Sequence, residues 1–115
     1  MQVGDPTLVL DVEQLKGVTL DDQELMREVM SALIDDTSRQ MPLLDAAIRQ
    51  QDATRCMRLA HYSKGACANV GAIRAAAMLK QLELDAARNA FDDCSAGLRN
   101  LMAELDTLRQ EAAAL

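Results

Sequence analysis

Between residues 53 and 70 the apolar and small residues recur with a helical period. At 100° per residue, Cys56, Leu59, Ala60, Ser63, Cys67 and Val70 fall within about 60° of one direction. Such a stripe is what a helix turns toward a core. Asp52 stands where an N-cap is needed, and Gly71 falls at the C′ position, where positive φ costs a glycine little. A helix over 72–88 follows almost at once. Upstream, Thr19 or Asp21 offers an N-cap for a helix reaching about residue 35, with Leu25, Val29, Ala32 and Leu33 on its apolar face. A further helical segment spans 36–50 and contains Pro42, which removes one hydrogen bond. Either the helix kinks there or it breaks just before, and the kink is the preferred reading. Asn89 and the pair Asp92 and Asp93 mark a turn or a cap before a last helix that runs to about residue 113. Residues up to Pro6 read as an extended lead, and 11–15 as one or two helical turns before Gly17. No segment alternates and no Asn-Gly hairpin is present. Helical segments with short connections predict an all-α fold, an antiparallel up-down four-helix bundle with a short N-terminal helix. The chain reads as one domain over 1–115, with the lead and short helix in 1–18 and the bundle in 19–113.

Composition narrows the core. Half of the 115 residues are apolar, which is enough for a packed domain. Tyr62 and Phe91 are the only aromatics, so leucine, alanine, isoleucine, valine and seven methionines must fill the interior. That suits close helix packing better than sheets. A formal net charge of −6 argues against nucleic acid or an anionic membrane surface as a partner. No apolar run approaches the roughly 20 residues needed to span a bilayer, and no signal peptide opens the chain. A soluble, cytoplasmic protein with no direct membrane contact is expected, free-standing or as a domain of a membrane-anchored sensor kinase. Cys56 and Cys67 share one helix face about 16 Å apart, too far for a disulfide. With Cys94 they read as three reduced thiols in the core, and neither they nor the single histidine make a metal site.

His61 lies about 160° from the centre of the 53–70 stripe, so it faces outward. Arg58 and Gly65 flank it, Ala68 lies one turn further, and Lys64 sits between the two faces. Glycine in mid-helix costs about 1 kcal/mol relative to alanine. At i+4 from His61, Gly65 removes the side chain that would crowd the imidazole and anything approaching it. Lys64 at i+3 is placed to reach an anion on the ring as a mobile point charge. Imidazole is a nucleophile near neutral pH because much of it is unprotonated there.

The run Ala60-His61-Tyr62-Ser63-Lys64-Gly65-Ala66-Cys67-Ala68-Asn69-Val70-Gly71-Ala72 resembles the signature of the histidine phosphotransfer (HPt) domain family. It carries the His-x-x-Lys-Gly core and a Gly-Ala six and seven residues beyond that first glycine. The resemblance extends over about residues 20–108, and 79–88 looks like the family's following helix. It implies a histidine-containing phosphocarrier in a multistep His–Asp phosphorelay. His61 would accept a phosphoryl group from a receiver-domain aspartate and pass it to another receiver, without autonomous catalytic activity. The partners implied are receiver domains of response regulators or hybrid histidine kinases. No cofactor is expected on this chain, and Mg²⁺ is expected only on the receiver. If Gly71 and Ala72 form the corner between two antiparallel helices, Glu83 comes level with His61. The family commonly has Glu or Gln here, accepting a hydrogen bond from Nδ1–H and leaving Nε2 as the nucleophile. The competing reading makes Glu83 a surface carboxylate paired with Lys80 or Arg88. Docking is expected to use Met57, Arg58 and Ala68, with an exposed patch from Leu15, Val18 and Leu20, and Tyr62 flanks the site. Ser63 departs from the family, which has a bulky apolar residue there. As a core hydroxyl it should bond a backbone carbonyl, that of Leu59.

Two other functions compete with this one. A chemotaxis-type histidine kinase has a phosphate-accepting domain of the same family, labelled from ATP by a separate kinase core. A helical adaptor would carry His61 as incidental surface. A metal- or haem-binding bundle needs Glu-x-x-His pairs or axial ligands that one histidine does not supply. An autonomous nucleotide-using enzyme would need a phosphate-cradling loop, which the five scattered glycines do not form.

Overall fold

The computed structural model describes residues 8–115. They form five helices, α1 (Val12–Val18), α2 (Gln23–Arg49), α3 (Ala53–Asn69), α4 (Ile73–Ala87) and α5 (Phe91–Ala113), and no strand among the described residues. Three helices start on an aspartate whose side chain accepts from a first-turn amide: Asp11 from Gln14, Asp22 from Leu25 and Asp52 from Arg55. The α2 cap is therefore Asp22 and neither Thr19 nor Asp21. Thr19 instead closes α1, its hydroxyl buried and donating to the Leu15 carbonyl at 2.7 Å. Leu20 and Asp21 make the turn in the left-handed region, at φ 54° and 64°. Asp92 and Asp93 lie in the first turn of α5, where negative charge complements the helix dipole.

α2 corrects two expectations. The segments read as separate helices over 21–35 and 36–50 are one helix of 27 residues, unbroken through Pro42. Its core face is also shifted by a residue or so. Met26, Met30, Leu33, Ile34, Thr37, Met41, Leu44, Ala47 and Ile48 are buried, while Leu25 and Ala32 face solvent. The continuity and the shift have one cause. The buried stripe runs at three- and four-residue spacing straight past Pro42, which sits on the exposed side. Burying each of the methionine, leucine and isoleucine side chains among them is worth about 1.5–3 kcal/mol, so together they outweigh the roughly 3 kcal/mol that an interior proline costs.

The four long helices pack in a closed ring, α2 on α3, α3 on α4, α4 on α5 and α5 on α2. Leucine, methionine, alanine and three free, buried cysteines fill the centre. Burial pushes the thiols of Cys67 and Cys94 up to about 11. Two carboxylates are also taken inside. Asp85 accepts from Gln81 and Arg88, and Glu104 accepts from Arg74 Nε at 2.8 Å, tying α5 to the start of α4. The N-terminal segment crosses the α3–α4 corner. Asp11 N–H donates to the Gly71 carbonyl at 2.7 Å, and Arg74 N–H donates to Leu8 at 3.0 Å. Gly71 has φ +90°, and a Cβ there would lie 2.5 Å from the Asp11 carbonyl oxygen, so this corner admits only glycine. α1 is pinned here by Leu15, which is fully buried. Leu15 is thus a core residue and not part of an exposed docking patch: it is the one apolar side chain of α1 turned onto the bundle. Val18 and Leu20 do face solvent, Leu20 at 89% exposure. The extended lead expected before Pro6 lies outside the described residues.

Candidate functional site

α3 presents the stripe that its sequence describes. Cys56, Ala60, Ser63 and Cys67 are buried, while Leu59 and Val70 lie at its margins. His61 is on the opposite face with its side chain 69% exposed. Because α3 and α4 are antiparallel about Gly71, Glu83 arrives level with it, and Glu83 Oε2 is 3.2 Å from His61 Nδ1. The other oxygen, Oε1, accepts from Lys64 Nζ at 2.8 Å. Neither Lys80 nor Arg88 is its partner: Arg88 pairs with Asp85. Lys64 holds the Glu83 carboxyl below the usual glutamate range by hydrogen bond and charge, with His61 adding to the effect and partial burial opposing it. Glu83 is therefore ionised at neutral pH and can only accept. In the neutral ring the proton must then reside on Nδ1, and the Nε2 lone pair is left free on the solvent side.

Around this triad the surface is open. Met57, Arg58, His61, Tyr62 and Glu83 line a shallow depression. A Cβ on Gly65 would meet nothing within 4 Å, so no contact among the described residues requires glycine there. The gap it leaves is open to something arriving from outside. Ala68 is exposed but its carbonyl accepts the Gln14 side chain of α1, which places it at the corner end of α3. Leu20 is not among the residues lining the depression. Tyr62, beside His61, donates its hydroxyl to Asp36 Oδ2 of α2 at 3.0 Å, and that bond raises the phenol's pKa. Among the described residues no cluster of His, Cys, Asp and Glu is arranged to hold a metal ion.

Three features differ from the sequence reading. Lys64 rests on Glu83 and does not stand free beside the imidazole. The Ser63 hydroxyl is buried without a hydrogen-bond partner among the described residues, so the expected bond to Leu59 is not made. It faces the core stripe, where its neighbours on α3 are Ala60 and Cys67. The tie between Tyr62 and Asp36 escaped the sequence because Asp36 fell at an assumed boundary between two helices, which left its face undefined.

The family model that describes the Hpt domain matches residues 28–111. The chain belongs to the Hpt domain family. Two solved structures share its fold. The crystal structure of histidine-containing phosphotransfer protein B from Pseudomonas aeruginosa is 23% identical, with a TM-score of 0.82 over 95% of this chain and 98% of that one. The X-ray structure of a rice protein assigned as a histidine-containing phosphotransfer protein is 20% identical, with a TM-score of 0.81 over 92% of this chain and 78% of that one. A comparison with curated proteins gives no match. The Hpt domain is a histidine phosphocarrier of a phosphorelay, and its family works with receiver domains. No helix among the described residues of this Hpt domain is long and apolar enough to cross a membrane.

Proposed function

We propose that His61 is the phosphoryl acceptor, that an aspartyl phosphate of a receiver domain is the donor, and that a second receiver aspartate takes the group onward. The observation that carries this reading is the exposed imidazole whose Nδ1 is held by an ionised Glu83. Nε2 attacks phosphorus in line, forming the N–P bond as the P–O bond to the aspartate breaks and the carboxylate leaves. The ring becomes cationic with its proton still on Nδ1, and the Glu83 carboxylate beside that proton stabilises the charge. Onward transfer reverses these steps. Lys64, one turn away, is the cation that can swing from Glu83 to a phosphoryl oxygen. Mg²⁺ belongs to the receiver in this reading, and the chain has no catalytic activity of its own.

Charge supports an acidic partner. Residues 53–82 contain five of the 12 cations and none of the 18 acidic residues of the chain. Arg55, Arg58 and Lys80 are exposed, and none of them is held in an ion pair among the described residues. A receiver's aspartate-rich pocket is complementary to that face. Arg58 and Met57 beside His61 are the nearest docking contacts. The three buried free thiols suit the reducing cytoplasm, where we place the protein.

The test is transfer from a radiolabelled phosphorylated receiver domain to the wild type and to His61→Gln. Label on the wild type alone, lost in acid and stable in base as N-linked phosphate is, supports the reading. Label on His61→Gln, or on neither protein with several receivers, refutes it. Glu83 equally suits a domain labelled from ATP by a chemotaxis-type kinase core. Labelling by such a core with no receiver present would favour that variant.

A further inference from the structure

Two observations around His61 are not used by the phosphoryl chemistry. The first is Tyr62 itself. In a chain with two aromatic residues, the larger and only tyrosine is 56% exposed and directly follows the proposed acceptor. The other, Phe91, is half-buried at the start of α5. The second is the bond from the Tyr62 hydroxyl to Asp36 across the α2–α3 interface, with Asp36 also 3.7 Å from Arg39. An exposed tyrosine ordinarily samples several rotamers, but this one is fastened at its far end. On the helical wheel Tyr62, Arg58 and Gly65 fall on one side of His61, and Lys64 falls on the other, toward Glu83. His61 therefore stands between a carboxylate on α4 and an aromatic ring tied to α2, with open space over Gly65.

We propose that Tyr62, positioned by Asp36, is a specificity-determining residue of the docking face, a fixed aromatic wall that selects which receiver domain reaches His61. The proposal rests on the carrier reading. Tyrosine gives large, rigid contact area for few rotatable bonds, and a side chain ordered in advance adds little entropy cost on binding. The cations of α3 draw an acidic pocket without distinguishing one receiver from another, since all such pockets share that charge. Discrimination must come from the surface beside the pocket, which has to fit against the ring. Asp36 is acidic and would by itself repel such a partner, but Tyr62 and Arg39 both engage its carboxylate.

A purely structural role is the alternative. Asp36 is on α2 and Tyr62 on α3, so the bond also fastens two helices, whose buried Thr37 and Cys67 approach within 4.0 Å. The experiment separates the roles. Wild type, Tyr62→Ala, Tyr62→Phe and Asp36→Ala are phosphorylated by phosphoramidate, a small donor that needs no docking, and by a panel of isolated receiver domains charged with acetyl phosphate. Each receiver kcat/KM is divided by the same variant's phosphoramidate rate. The expected result is a loss of about tenfold for Tyr62→Ala, the scale of an aromatic anchor, seen in KM and unequal between receivers, so that their rank order changes. Tyr62→Phe and Asp36→Ala keep the ring but free it, and should flatten the differences between receivers with a smaller mean loss. Equal loss for every receiver, no loss, or loss that follows melting temperature alone overturns the proposal while the carrier reading stands. If phosphoramidate labels His61 and no receiver does, the carrier reading fails and this proposal fails with it.

Discussion

Glu83 has two tasks, one with each oxygen. Oε2 fixes the imidazole tautomer and Oε1 holds Lys64. Glu83→Ala should therefore slow transfer to His61 by roughly tenfold or more, the scale for losing a group that orients a reacting imidazole. Single-turnover labelling of the variant beside the wild type would measure this. The same carboxylate has a pH signature in stability. Its pKa in the fold is below the unfolded value of about 4.3 because Lys64 favours the charged form. Its contribution, about 1 kcal/mol for a partly exposed pair, is complete above the unfolded value and is lost as pH falls through the lower folded value. Urea titrations should show wild type more stable than Glu83→Gln at neutral pH, with the gap closing on acidification below the glutamate range. Gly65→Ala tests the opposite balance. It should add up to about 1 kcal/mol of helix stability, since a Cβ meets nothing there, while receiver transfer falls relative to phosphoramidate labelling. His61 and Gly65 were legible in sequence because one helix wheel places them. Glu83 was legible because both helices can be counted from the corner at Gly71. The Lys64–Glu83 and Tyr62–Asp36 contacts were not, since long side chains choose among partners on neighbouring helices that no single wheel contains.

At the scale of elements, α2 shows how a buried stripe overrides a local breaker. Pro42→Ala returns an N–H donor in reach of the Ser38 carbonyl and should stabilise the bundle by about 2 kcal/mol, part of the usual cost of an interior proline. A shift in urea midpoint without a change in slope would confirm that the helix was continuous already. The sequence placed α3, α4 and α5 well because each is bounded by a signal with one meaning: an aspartate cap, a positive-φ glycine, an asparagine turn. It misread α2 because the paired Asp35 and Asp36 carry a boundary signal that packing overrules, and a wrong boundary turned the predicted apolar face; at Pro42 the helix continues, as the preferred reading had it. Leu15 was misplaced for a related reason. A seven-residue helix is too short for its pattern to show which side is covered.

Across the whole molecule, charge is segregated. All 18 acidic residues lie outside the 53–82 segment that bears His61. Association with an acidic receiver should therefore weaken as salt rises, chiefly through the on-rate, and stopped-flow mixing at several ionic strengths would show it. Fully buried thiols report the opposite property, the closure of the core. Cys67 and Cys94, with thiols pushed up to about 11, should resist alkylation in the folded protein and react only as the bundle opens. The chain has no tryptophan and one tyrosine. Its near-ultraviolet absorbance and emission thus come almost wholly from the ring beside His61. A tyrosine hydroxyl bonded to a carboxylate is a poor emitter, so anything that frees Tyr62 from Asp36 should brighten the protein. Arrival of a partner, or of a phosphoryl group next door, can then be followed optically without adding a dye.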